Sequence, residues 1–130
     1  MNTPHILAIQ PRWNDFDMLG HINNTIYFQY FDLAKSDFFL SRLGNTIDLS
    51  HIAPVAVNVN CNFSAPILPG EPVEVSTRVA KIGEKSLTFE QQITNPDTGT
   101  VKCACTTVMV AFDLRAGTSV TVPEEWHTLL

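Results

Sequence analysis

A carboxylate, a glycine, an imidazole and two amides, Asp17, Gly20, His21, Asn23 and Asn24, fall within eight consecutive residues. They stand immediately before, or at, the opening of a segment with helical periodicity. A helix start presents unpaired backbone N–H groups and a partial positive charge. Such a start polarises a substrate carbonyl or holds the oxyanion formed from it, and one well-aimed donor contributes about 2.7 to 4 kcal/mol of transition-state stabilisation. Gly20, with no Cβ, lets a substrate approach the backbone closely. Asp17 is the candidate carboxylate, able to attack the polarised carbonyl or to deprotonate a water that does so. The helix start favours its ionised form and desolvation opposes it. The same residue types also close turns and cap helices with no catalytic role. His21 is open to three readings: a hydrogen-bonded structural side chain, a supporting partner, or a proton carrier.

The elements that must position these residues are legible as changes of period. Ile6 to about Trp13 reads as a short strand stopped near Pro11. From Asn24 to Leu43, apolar residues recur at Tyr27, Tyr30, Phe31, Ala34 and Phe38, a helical spacing. Phe28 and Phe39 flank that stripe, so most of the helix circumference is expected to be buried. Asn23 or Asn24 is the expected N-cap, and Gly44-Asn45 the stop. The polar side carries Gln29, Asp32 and Ser36, with Lys35 placed for a surface pairing with Asp32.

The period then becomes two. Val55, Val57, Val59, Cys61 and Phe63 alternate with Ala56, Asn58, Asn60 and Asn62, predicting a half-buried strand ended by Pro66 and Pro69-Gly70. Val73 to Val79 and Leu87 to Ile93 form two further strands separated by Gly83-Glu84-Lys85. Asn95-Pro-Asp-Thr-Gly99 is a hairpin turn before a long strand from Thr100 to about Asp113. The second half of that strand, Val108 to Phe112, is apolar on both faces, as suits a central strand or one covered by a partner. Pro123-Glu-Glu-Trp126-His127 begins a short helix. The order of strand, long helix and four strands predicts a single α+β domain over residues 1–130, its antiparallel sheet curled around the helix.

The chain has 130 residues, 45% hydrophobic and 16% charged, with a net charge of −5. So few charges suggest that part of the surface is covered by another subunit. With no Lys/Arg cluster, nucleic acid is not an expected partner. The residues Met1 to His5 carry neither a basic stretch nor an apolar core, and no run of eighteen apolar residues occurs, so neither export nor membrane insertion is expected. Three cysteines, Cys61, Cys103 and Cys105, are an odd count in strand interiors, which predicts a reduced, cytoplasmic protein. No second pair or neighbouring His completes a metal site around them.

The stretch Arg12-Trp-Asn-Asp15-Phe-Asp17-Met-Leu-Gly20-His21-Ile-Asn23-Asn24, continuing through Tyr27, Tyr30, Phe31 and Asp32 to Lys35, resembles the 4-hydroxybenzoyl-CoA thioesterase-like group of hotdog-fold proteins. It is also similar to the plant acyl-carrier-protein thioesterases. The resemblance extends through Pro66-Ile-Leu-Pro-Gly-Glu71 to Val122-Pro-Glu-Glu125. It implies a five-stranded antiparallel sheet wrapped around one long central helix. It further implies subunits paired edge to edge as a homodimer or a tetramer of dimers, with sites at the interface. The implied substrate is an acyl-CoA thioester, of which coenzyme A is a part; no separate cofactor and no metal are implied. The family's catalytic carboxylate falls on Asp17 and its carbonyl-polarising N–H on Asn24, while the assisting His of the acyl-carrier-protein branch falls on His21; Gly20, Asn23 and Tyr27 are the expected substrate contacts.

His21 and the Asn23-Asn24 pair depart from the 4-hydroxybenzoyl type, which has apolar and aromatic residues there, and point away from an aromatic acyl group. Asp32, near the position of a helix-borne catalytic Glu in another branch, reads as a solvated surface residue. Arg78, Lys81 and Lys85 are the basic residues placed for coenzyme A phosphates, and equally ordinary surface charges. An acyl-carrier substrate and a non-catalytic acyl-CoA-binding protein are the alternatives. A dehydratase is disfavoured because the helix lacks a His-containing motif.

Overall fold

The computed structural model of the chain describes residues 3–44 and 48–130. Its dominant element is α1, Asn24–Leu43, twenty residues long as the periodicity predicts. Asn23 is the N-cap, its side chain accepting the Thr25 N–H. At the other end the Gly44 N–H donates to Leu40 O, with Gly44 at φ 65°, a conformation that favours glycine. The expected contribution of Asn45 to this stop lies outside the described residues.

The strands are β1 (His5–Ile9), β2 (Ile52–Phe63), β3 (Val73–Ile82), β4 (Ser86–Asn95), β5 (Thr100–Asp113) and a two-residue β6 (Thr118–Ser119). They form one antiparallel sheet in the order β1-β3-β4-β5-β2, with β6 added beside the end of β5. Five strands were expected, and β6 extends them only by the pairs Phe112–Ser119 and Asp113–Thr118. Register shifts at Ala56/Asn58, Val79/Lys81 and Ile93/Thr94 interrupt three of the ladders. Such bulges bend a strand and increase its twist, which is how the sheet curls over α1.

Along the first half of α1, Tyr27, Tyr30, Phe31 and Ala34 pack with Ile67, Val75, Ile93 and Cys103. Along the second, Phe38, Phe39 and Leu43 meet Leu87, Phe89, Met109 and the Trp126 side chain of the C-terminal helix α2, Glu124–Leu129. Gln91 ties sheet to helix by donating from Nε2 to Phe31 O and Thr77 Oγ1.

Three expectations need correction. β2, read as half-buried, is exposed over most of its length, with Val57 59% and Val59 46% accessible. It is an outer strand whose one sheet neighbour among the described residues is β5. The helix is buried over less of its circumference than expected: Phe39 is buried, but Phe28, Leu33 and Leu40 are exposed, because the sheet covers one side of α1. Lys35 pairs with Asp32 as expected, at 3.4 Å, but its side chain is buried and not on the surface, while the Asp32 carboxylate is exposed.

Candidate active site

Between β1 and α1 the chain passes through a single 3₁₀ turn, Trp13–Asp15, and then a tight loop closed by an antiparallel bridge between Phe16 and Ile22. Two carboxylates, Asp15 and Asp17, enter this loop two residues apart and meet opposite environments.

Asp15 is buried and saturated. It accepts from the Arg12 backbone N–H at 2.9 Å, from Arg12 Nε and Nη2 at 3.1 and 2.9 Å, and from the Tyr30 hydroxyl at 2.6 Å. Burial is the largest single influence and opposes its charge. The Arg12 N–H, the Tyr30 hydroxyl and the Arg12 guanidinium together outweigh it and hold the carboxyl below its ordinary value. Tyr30 is correspondingly pushed up, first by burial and then by its bond to Asp15. This network clamps the loop to the first turns of α1. Sequence reasoning noted Asp15 without giving it a role; the available signal was Arg12 three residues before it, a spacing that closes a capping-box-like turn.

Asp17 is exposed. Its Oδ1 accepts the N–H groups of Leu19 at 2.9 Å and His21 at 3.2 Å, and its own N–H donates to His21 O at 2.8 Å. Oδ2 takes no hydrogen bond among the described residues, so one carboxylate oxygen is held in place and the other is not. Gly20 makes the turn possible at φ 76°, its N–H donating to Asp17 O.

At the helix start, Asn23 Oδ1 accepts from Thr25 N and Thr25 Oγ1, and Asn23 O accepts from Ile26 N. These bonds use the second and third amides of the helix. The Asn24 N–H, the first, has no acceptor among the described residues, as is usual for the first amide of a helix. Tyr27 is buried, its hydroxyl accepting the Ile67 N–H at 3.3 Å and its ring edge-on to Phe63 at 5.3 Å. Burial pushes its pKa up.

The expected site residues divide between two adjoining cavities. Asp17 and Gly20 line the larger, about 890 Å³, with Trp13, Phe16 and Met18. His21, Asn24 and Tyr27 line a smaller recess of about 230 Å³, closed by Phe63 and Pro66. The Asp17–His21 backbone bonds join the two halves, whereas Asn23 lines neither cavity and serves as the cap. The opposite wall of both is the Pro66–Glu71 loop. Buried Lys102 fastens it, donating to Pro66 O at 3.0 Å and to Glu71, whose carboxyl is held below its ordinary value first by that bond. Arg78 is paired with Glu90, and Arg78, Lys81 and Lys85 line neither of these two cavities.

Comparison with known proteins bears directly on this arrangement. The family model described as the thioesterase-like superfamily matches residues 11–128. The chain belongs to that superfamily. Within it, the chain is 26% identical over 108 residues to the long-chain acyl-CoA thioesterase FadM of Escherichia coli, covering 82% of each. Among solved structures, the PA5185 protein of Pseudomonas aeruginosa has a TM-score of 0.86 at 28% identity, covering 97% of this chain and 88% of that one. A Thermus thermophilus thioesterase complexed with coenzyme A and Zn has a TM-score of 0.82 at 26% identity, covering 99% and 98%. The hotdog fold of this superfamily member is therefore plain: one long helix against an antiparallel sheet.

Proposed function

We propose that this superfamily member hydrolyses acyl-CoA thioesters to a free acid and coenzyme A. The observation that carries the reading is that the loop leading into α1 holds a carboxylate, Asp17, with one oxygen unbonded among the described residues, and ends on the Asn24 N–H, which likewise has no acceptor among them. FadM, an acyl-CoA thioesterase, and the coenzyme A complex of the Thermus protein support the substrate class.

A thioester carbonyl oxygen seated on the Asn24 N–H is polarised by the donor and by the helix dipole. Asp17 Oδ2 removes a proton from water as the water oxygen attacks the carbonyl carbon. The tetrahedral oxyanion is then held by Asn24 until the carbon–sulfur bond breaks and the thiolate leaves, taking up a proton. In the alternative course Asp17 itself attacks and water then hydrolyses the resulting anhydride. Single turnover in ¹⁸O-water separates the two: label enters only the product acid in the first, whereas in the second water attack on the anhydride at the aspartyl carbonyl places label in Asp17. His21, which lines the recess with Asn24, assists the departing sulfur in this reading.

The apolar lining given by Trp13, Phe16 and Met18 suits an alkyl acyl group or the pantetheine arm. The site is completed in our reading by a second subunit paired along β2. The assay is thiol release across short, long and aromatic acyl-CoAs and an acyl-carrier protein. Cleavage of acyl-CoA abolished by Asp17→Asn supports the reading. Tight acyl-CoA binding with no turnover across the panel overturns it in favour of a binding protein, and turnover of the carrier thioester alone moves the substrate class.

A further inference from the structure

The three cysteines converge where the outer strand β2 joins β5, behind the wall of the smaller recess. Cys61 and Cys105 are direct partners in the antiparallel register, and Phe63, which packs on Tyr27, is the partner of Cys103. Opposed residues of an antiparallel pair have Cα atoms about 4.5 or 5.5 Å apart, within the span of about 4.4–6.8 Å that a disulfide bridges. Both side chains project to the helix side of the sheet, where Cys105 belongs to the core and Cys61 packs against it. Cys61 Sγ lies 2.7 Å from Cys105 Sγ, and all three thiols are free. Cys61 is half-buried while Cys103 and Cys105 are buried, so Cys61 is the sulfur that a reagent reaches first.

We propose that Cys61 and Cys105 form a dithiol site that a small-molecule disulfide oxidises to a cross-strand disulfide, stapling β2 to β5. The Cys61 thiolate attacks one sulfur of the oxidant; the oxidant's S–S bond breaks, and the first reduced thiol leaves with the proton that Cys61 gave up. The Cys105 thiolate then attacks Cys61 Sγ, forming the protein disulfide and expelling the second thiol with the Cys105 proton. The protein loses two hydrogens and the oxidant gains them as two thiols. Burial, the largest influence, and the neighbouring Cys105 push the Cys61 thiol up, so the exchange is slow at neutral pH and accelerates as pH rises.

The consequence is mechanical. β2 has one sheet neighbour among the described residues, and the staple holds its Phe63 end against Tyr27. The bond would also close a loop between residues 44 apart, restricting the unfolded chain. None of this depends on thioester hydrolysis, so either reading stands or falls without the other.

The full chain is incubated with oxidised glutathione at about pH 8.5, quenched by alkylation, denatured and mapped. The expected result is that the three free thiols fall to one, with a Cys61–Cys105 linked peptide. The melting temperature should rise by about 10 °C and return on reduction. Cys61→Ser and Cys105→Ser lose both changes, whereas Cys103→Ser keeps them; matching melts under reducing conditions establish that each variant is folded. A thiol count that stays at three, a stable glutathione adduct on Cys61 without the cross-link, or a linkage through Cys103 overturns the proposal. The wild-type peptide map decides the matter even where a serine variant does not fold.

Discussion

Asp15 and Asp17 are chemically identical side chains two positions apart, and their surroundings assign them different work. Asp17→Asn retains an Oδ1 that accepts the Leu19 and His21 N–H groups, so the loop should keep its shape and the melting temperature should not move. What it loses is the base or nucleophile, and kcat should fall by about 10²–10⁴-fold in the thiol-release assay. Asp15→Asn should do the reverse damage. It places an amide where four donors converge, and at pH 7 it should cost about 1–3 kcal/mol by urea denaturation. The pH dependence has a definite sign. Asp15 titrates lower in the folded state than its ordinary 3.8, so its contribution is complete above that value and is lost as pH falls through the lower folded value. The stabilities of wild type and Asp15→Asn should therefore converge below about pH 3.8.

At the scale of the element, α1 is the spine of the core and, in the proposed mechanism, also the source of the donor. Its aromatic stripe is buried by the sheet, which fixes the axis and so the direction in which the Asn24 N–H points. Asn23 ties the two roles together because its side chain takes the second amide and leaves the first exposed. Asn23→Ala should cost about 1 kcal/mol of stability. It should also lower kcat more than it raises KM, because fraying of the first turn misdirects the Asn24 N–H. Chemical denaturation and steady-state kinetics on the same variant check both. The bounds of α1 were legible in the chain because their signals are local: 3.6-residue periodicity, an asparagine before the stripe and a glycine after it. The burial of Asp15 and of Lys35 was not, since it depends on what distant elements place around them.

At the scale of the whole molecule, the outer strand β2 is the feature that most constrains assembly. Its twelve residues present an unpaired backbone edge, flanked by exposed Val55, Val57 and Val59. Edges of this length and apolarity are templates for pairing with another strand. Pairing of two copies along β2 would extend the sheet across both subunits and cover Phe28 and Leu40 on the helices. Light scattering after size exclusion should report a dimer. Val57→Lys together with Val59→Lys should shift it to a monomer, with thioesterase activity falling alongside if the neighbouring subunit completes the site. A wild-type monomer at micromolar concentration would remove the β2 pairing.

By itself the sequence determined the succession of the main elements, the bounds of the long helix and the loop where the candidate site residues gather. Periodicity, caps and turns are properties of neighbouring residues. The tertiary structure alone decided which strand lies at the outer edge, because strand order depends on pairings such as β1 with β3 and β2 with β5 across long stretches of chain. It also decided which carboxylate is spent on structure. Tyr30 reaches Asp15 because α1 packs back over the 3₁₀ turn, which occupies that carboxylate, whereas Asp17 stays exposed in the same loop.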